Sequence, residues 1–262
     1  MRRRVRIVAG LTGLALALAG CGISSGDDGA VVPGESADAV AGQVTVFAAA
    51  SLSAAFDEIA ADVEAAYPGV EVEPIRYDGS STLATQLVEG ARADVFASAD
   101  EANMQRVIDA GLAASPRVFA TNRLTLVVPV GNPGDVTGLA DLADPDLAVV
   151  LCAAEVPCGA ASGQLTQAAG VTPRVDSYEQ NVTAVLTKIA TGEADAGLVY
   201  VTDAAASDDV ETVPTAGADG VVNRYPIVAL DDARSPAAAA FVGHVLSPAG
   251  RAVLERWGFG AP

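Results

Sequence analysis

Histidine occurs once in this chain of 262 residues, at His244, and cysteine three times, at Cys21, Cys152 and Cys158. The first shortage excludes most hydrolytic chemistry. A Ser–His–Asp arrangement has only His244 to draw on. That residue falls in an apolar run with Phe241, Val242 and Val245, where a structural role is expected. The Gly-x-Ser-x-Gly elbow that presents a nucleophilic serine is absent as well. A zinc centre fails for want of ligands, so no metal-cation site is expected. Basic residues are also scarce: 15 Lys and Arg stand against 33 Asp and Glu, a net charge of −18. Nucleic acid requires a basic footprint and is excluded as a partner. No run of 18 apolar residues occurs beyond the N-terminus, so no membrane-spanning helix is expected there. Aromatics are 5% of the chain, yet 51% of it is apolar, and such a chain can still bury a sizeable core.

What is present begins with a processing segment. Arg2, Arg3, Arg4 and Arg6 precede an apolar stretch from Ile7 to Ala19, the pattern of an export leader over residues 1–20. Leu18-Ala19-Gly20-Cys21 resembles the lipobox of bacterial lipoproteins. That resemblance implies cleavage before Cys21, diacylglycerol on its thiol, and attachment to the outer face of the cell membrane. Residues 21–42 are rich in Gly, Ser, Asp and Pro and read as a flexible tether. Loss of residues 1–20 removes four arginines and no acid, leaving 11 basic residues against 33 acidic and a net charge of −22. Any anion site must therefore work against a repulsive overall field, with local neutral donors. Cys152 and Cys158, six apart in an exported chain, suggest a small disulfide loop.

The chain then repeats one local pattern. Val44 to Phe47 favours a strand. Ala48 to Ala50 makes a close turn, and Ser51 and Ser53 stand as N-cap candidates for a helix. The helix carries Phe56, Ile59, Ala60 and Val63 on one face and stops at Pro68-Gly69. Val70 to Tyr77 alternates as a strand and leads through Asp78-Gly79-Ser80-Ser81-Thr82 into a helix ending at Gly90, with Ser81 as its cap and Asp78 a turn residue pointing away. Ala93 to Asp100 is a third strand, followed by a helix from Glu101. The second half repeats the theme: strands at Leu147–Cys152, Val171–Tyr178 and Ala196–Val201, helices opening at Ala160 and Val182, and Asp203 capping a short helix. Arg123–Val130 and Arg224–Leu230 read as strands crossing between lobes, and two helices, Pro236–Leu246 and Pro248–Trp257, return to the first lobe. The expectation is two α/β lobes of mostly parallel sheet with helices on both faces: residues 43–122 with 226–262, and residues 123–225. A ligand belongs in the cleft beyond the strand ends.

Five stretches carry a resemblance. They are Val46-Phe47-Ala48-Ala49-Ala50-Ser51-Leu52, Ser80-Ser81-Thr82-Leu83-Ala84, Ala93 to Asp100, Val156-Pro157-Cys158-Gly159 and Gly197-Leu198-Val199-Tyr200. In this order the chain resembles the molybdate-binding proteins of bacterial ABC importers, from about Val44 to Phe259. The resemblance implies a type II periplasmic-binding-protein-like fold and no catalysis. It implies no cofactor, with molybdate or tungstate as ligand. The implied partners are an ABC permease and its ATPase subunit, and the protein is expected as a monomer. It assigns the oxyanion to the hydroxyls of Ser51, Ser80 and Tyr200 and to the backbone N–H groups of Cys158 and Val182. Asn181 departs from the acidic residue expected before that valine.

Donors alone suit such a ligand. Molybdate and tungstate are proton-free dianions near neutral pH and only accept hydrogen bonds. Protonated phosphate also needs an acceptor, and a carboxylate that met this need would repel a full dianion. Sulfate is proton-free too and differs in size. Two further readings remain at this stage: the same fold binding sulfate, phosphate or another oxyanion, and an exported serine hydrolase.

Overall fold

The computed structural model describes residues 40–262. The leader, Cys21 and all of the tether before Val40 lie outside the described residues. Ala41 and Gly42, expected in the tether, already form strand: β1 (Ala41–Val44) pairs in parallel with β3 (Gly69–Val72), Ala41 opposite Gly69. A glycine-containing segment takes strand form here because a partner 28 residues away satisfies its backbone, which composition does not register.

The first lobe is organised on β2 (Val46–Ala49), buried throughout. A 3₁₀ turn (Ala50–Leu52) leads into α1 (Ser53–Ala66). Phe56, Ile59 and Val63 lie three and four residues apart and are fully buried, as a helix facing a core requires. The Phe56 ring meets Phe119 and Phe241, each at 5.8 Å between centroids. The expected strand Val70–Tyr77 is broken in two, β3 and β4 (Arg76–Asp78). Pro74 has no N–H to donate and fixes its own φ, so the chain leaves β1 and re-pairs beside β2, Phe47 opposite Arg76. Then come α2 (Ser80–Val88), β5 (Val95–Ala97) and α3 (Glu101–Asp109).

The long β6 (Arg117–Pro129) passes from one lobe to the other. In the second lobe β7 (Val149–Cys152) leads to α4 (Pro157–Ala168), which opens three residues earlier than expected with Pro157 in its first turn. Only β8 (Ser177–Glu179) remains of the strand expected over Val171–Tyr178. Pro173 interrupts it, and the amides of Arg174 and Asp176 bond instead to Leu142 and Val149. Then follow α5 (Val182–Ala190), β9 (Ala196–Tyr200), α6 (Val201–Ala205) and β10 (Val210–Val213). Next, β11 (Val222–Ala229) returns to the first lobe, where α7 (Ala237–Val245) and α8 (Pro248–Arg256) pack Phe241, Val245, Val253 and Leu254 into the core around Phe56. His244 lies on α7 with its Nε2 buried and without a hydrogen-bond partner among the described residues.

The sheets are mixed rather than mostly parallel. Pairs β2/β4, β2/β5, β7/β8 and β7/β9 are parallel, and every pair that involves β6 or β11 is antiparallel. These two strands join the lobes. The first half of β6 pairs with β11, and its second half, Leu124–Pro129, pairs with β9 and β10. The fold is thus a two-lobe α/β architecture of the periplasmic-binding-protein kind. Truncating Phe56 to Ala removes a fully buried ring from the first core and is expected to cost about 3–5 kcal/mol, read as a lower urea midpoint at unchanged slope.

Candidate functional site

Helices α2, α4 and α5 and the 3₁₀ turn before α1 present their first residues to one small cavity of about 10 Å³, the order of one water centre. Ser51 and Ser80 come from the first lobe, and Cys158, Val182 and Tyr200 from the second. All five residues assigned by resemblance therefore line it together. Helix N-termini offer free N–H groups and the positive end of the dipole. Here those groups are largely uncapped: neither α1, α2 nor α4 has a side-chain cap, whereas α3 and α8, which do not line the cavity, are capped by Asp100 and Ser247. At α5 the Asn181 side chain accepts from Ala184 N–H at 2.9 Å, leaving the amide of Val182 unused by that cap.

The serines are not caps. Ser51, 8% exposed, shares a 2.9 Å hydrogen bond with the Tyr225 hydroxyl. Ser80 accepts from the amide N–H of Ala99 at 2.9 Å. The cap expected of Ser81 is likewise absent, since the N-cap position of α2 is Gly79. The Tyr200 hydroxyl receives a 3.0 Å hydrogen bond from Asn223 Nδ2, whose amide also reaches the Ala99 carbonyl at 2.9 Å. Burial pushes the Tyr200 phenol well above its ordinary pKa, and Tyr225, Asp100 and Asp203 add to the shift. The group therefore stays protonated and able to donate across the physiological range. Beneath it Asp203 does not cap a later helix; it sits inside α6 and accepts from the amide of Tyr200 at 3.0 Å.

Two glycines let the backbone close in. A Cβ at Gly159 would sit 1.8 Å from the Ala153 carbonyl oxygen, and one at Gly79 would sit 2.1 Å from that of Gln180 in the other lobe. Cys152 and Cys158 form a disulfide that ties the end of β7 to the first turn of α4. Among the described residues no lysine or arginine lines the cavity. Asp78 does line it, contrary to the expectation that it points away. Its Oδ1 accepts from Gly79 N–H at 2.7 Å and from Asn181 Nδ2 at 3.0 Å, a bond between lobes. The amide at position 181 thus pairs with Asp78, where an acid would repel it. Sequence reasoning missed Asp78, Asn223 and Tyr225. The available signal was a polar residue at 223 and a tyrosine at 225, at the start of the strand expected over Arg224–Leu230.

The family model of the bacterial extracellular solute-binding proteins matches residues 44–260. The molybdate-binding protein ModA of Mycobacterium tuberculosis is 45% identical over 252 residues, which is 95% of this chain and 95% of that one. The solved periplasmic molybdate-binding protein of Azotobacter vinelandii superposes with a TM-score of 0.69 at 22% identity, covering 84% of this chain and 99% of that chain. The sulfate-binding protein SubI of Mycobacterium tuberculosis also reaches 0.69, at 17% identity, covering 83% of this chain and 86% of that one. At these identities the two solved structures establish the fold alone. The chain belongs to the bacterial extracellular solute-binding protein family, with ModA among its relatives, and is a binding protein of transport rather than an enzyme.

Proposed function

We propose that this protein captures molybdate, and tungstate with it, between its two lobes and delivers it to an ABC permease driven by its ATPase subunit. The observation that carries the reading is the donor set. Three hydroxyls and the uncapped starts of helices from both lobes meet at one cavity without a basic side chain. Ser51, Ser80 and Tyr200 give O–H donors, and Cys158 and Val182 give N–H donors. Each charge-assisted hydrogen bond contributes roughly 1.5–3 kcal/mol, so a handful offsets the dianion's dehydration. Neutral donors also select against anions in general less crudely than a fixed cation would. The 45% identity to ModA supports the same ligand.

In this reading residues 43–122 with 226–262, and residues 123–225, move as two lobes about β6 and β11. An ion larger than water enters only when they part. The disulfide holds the loop that presents the Cys158 amide. Cys21 carries the lipid that keeps the protein at the outer face of the membrane, and the protein acts as a monomer.

The competing ligand within this fold is sulfate, phosphate or another tetrahedral oxyanion, and the SubI likeness shows that the fold also serves a sulfate-binding protein. Hydrogen phosphate would need an acceptor: Asp78 lines the cavity with its Oδ1 engaged by Gly79 N–H and Asn181 Nδ2, which leaves Oδ2 as the one carboxylate oxygen there, so the phosphate titration decides between the two ligands. A serine hydrolase is disfavoured because His244 lies on α7 and does not line the cavity. Calorimetric titration of the mature chain with molybdate, tungstate, sulfate and phosphate tests the reading. One-to-one binding of the first two is expected, with at least about tenfold loss in Ser51→Ala and in Ser80→Ala, one hydrogen bond each. Unchanged affinity in both variants would reject the site.

A further inference from the structure

Every hydroxyl that lines the cavity is approached from behind by a protein hydrogen-bond partner. At Ser80 that partner is the Ala99 N–H, which can only donate. At Tyr200 it is the Asn223 side-chain amide, donating at 3.0 Å through the same nitrogen that reaches the Ala99 carbonyl. At Ser51 it is the Tyr225 hydroxyl at 2.9 Å. Either hydroxyl can donate in this pair, and the phenol, the stronger acid, is the better donor. With Tyr225 as donor, each cavity oxygen has one lone pair engaged by the protein and its own proton left for a ligand in the cavity. Tyr225 and Asn223 are held firmly enough for this. Tyr225 is fully buried, its ring meets Tyr200 edge-on at 5.9 Å and Phe259 at 5.5 Å, and Asn223 is 8% exposed. Both sit on β11, opposite Ala120 and Asn122 of β6, where the chain passes between lobes.

We infer that Tyr225 and Asn223 are positioning residues that fix the proton direction of Ser51 and Tyr200, so that these two hydroxyls meet the ligand as donors and favour proton-free oxyanions. The inference rests on the oxyanion reading above and names what makes its hydroxyls one-directional. Without Tyr225 or Asn223 a cavity hydroxyl regains the freedom to accept, which gives hydrogen phosphate a neutral acceptor in addition to the Asp78 carboxylate. The two residues also lie on a strand joining the lobes, so lobe position and donor direction are set by the same segment.

Two double-mutant cycles test this in the mature chain, with molybdate and phosphate as titrants and thermal melts as a folding control. Tyr225→Phe and Asn223→Leu are each expected to weaken molybdate about tenfold or more and to narrow the molybdate-to-phosphate ratio. If Asn223→Leu does not fold, Asn223→Ser removes the same amide. Because each residue acts through its hydroxyl, Tyr225→Phe should add little to Ser51→Ala, and Asn223→Leu little to Tyr200→Phe. A merely structural role would lower affinity for both anions alike and add fully in the cycles; either result overturns the inference. So does unchanged molybdate affinity in Tyr225→Phe and the Asn223 variant. If Ser51→Ala and Tyr200→Phe themselves leave molybdate binding intact, the oxyanion site fails instead, and the two failures are distinguished.

Discussion

As the pH rises from about 4 to about 8, the protein is expected to lose up to about 4 kcal/mol of stability relative to its Asp203→Asn variant. The cause is burial. The Asp203 carboxyl sits under Tyr200 with one backbone hydrogen bond, from the Tyr200 amide, and desolvation raises its pKa from 3.8 to about 7. The unfolded chain releases this proton near pH 3.8, whereas the folded protein keeps it to about pH 7. Between those values the native state binds the extra proton, so stability falls as pH rises through the window and levels off above it. This is the reverse of an ion-paired carboxylate, whose contribution is lost on acidification. An asparagine at 203 keeps an oxygen for the Tyr200 amide and cannot ionise. Urea unfolding of the parent and the variant across this range measures the difference. A parallel pH dependence in the two proteins would mean that Asp203 ionises at its ordinary value and that the charge is solvated where it sits.

Gly79→Ala is expected to weaken molybdate binding by about 100-fold, or roughly 2.7 kcal/mol, without an equal loss of stability. The residue has φ −59° and ψ 136°, which alanine adopts freely. Its backbone does not need glycine, but the space around it does. An alanine Cβ would fall 2.1 Å from the carbonyl oxygen of Gln180 across the cleft, and a backbone oxygen cannot swing aside as a side chain can. The lobes must then stop about an ångström short of their present approach. The start of α2, with Ser80, and the start of α5, with Val182, would no longer reach one ion together. Loss of one or two charge-assisted hydrogen bonds accounts for the magnitude. Calorimetry with molybdate reads the affinity and a thermal melt reads the stability. Full affinity in the variant would mean that the bound state is more open at this point than the structure described here.

Much of the fold was legible in short-range pattern. Phe56, Ile59 and Val63 recur at helical spacing, and Pro68-Gly69 stops their helix; both follow from positions three or four residues apart. The small-residue turn, the hydroxyl and the apolar helix after it repeat around Ser51 and Ser80, and these stretches with three others, among them Val156–Gly159 and Gly197–Tyr200, carried the family resemblance that singled out Tyr200, Cys158 and Val182. The two thiols of Cys152 and Cys158 are close enough in sequence for their pairing to be read from export and spacing. The strands Val70–Tyr77 and Val171–Tyr178 were overextended because apolar alternation continued past Pro74 and Pro173, where a missing N–H ended the ladder.

The tertiary structure decided what the hydroxyls do. A serine at a helix start reads as a cap from sequence, because the competing partners lie far along the chain. Ser51 meets Tyr225, 174 residues away, and Asp78 meets Asn181, 103 residues away. No local period reports such a contact, since loop closure over that distance is settled by how two sheets share β6 and β11. Sequence by itself determined an exported α/β chain with hydroxyls and free amides at its helix starts. Only the folded arrangement decided that those groups face one cavity, that Asp78 joins them, and that Tyr225 and Asn223 stand behind Ser51 and Tyr200. Helix starts are made by neighbours in the chain, whereas the direction of a buried proton is set by whatever the fold brings to the other side of the oxygen.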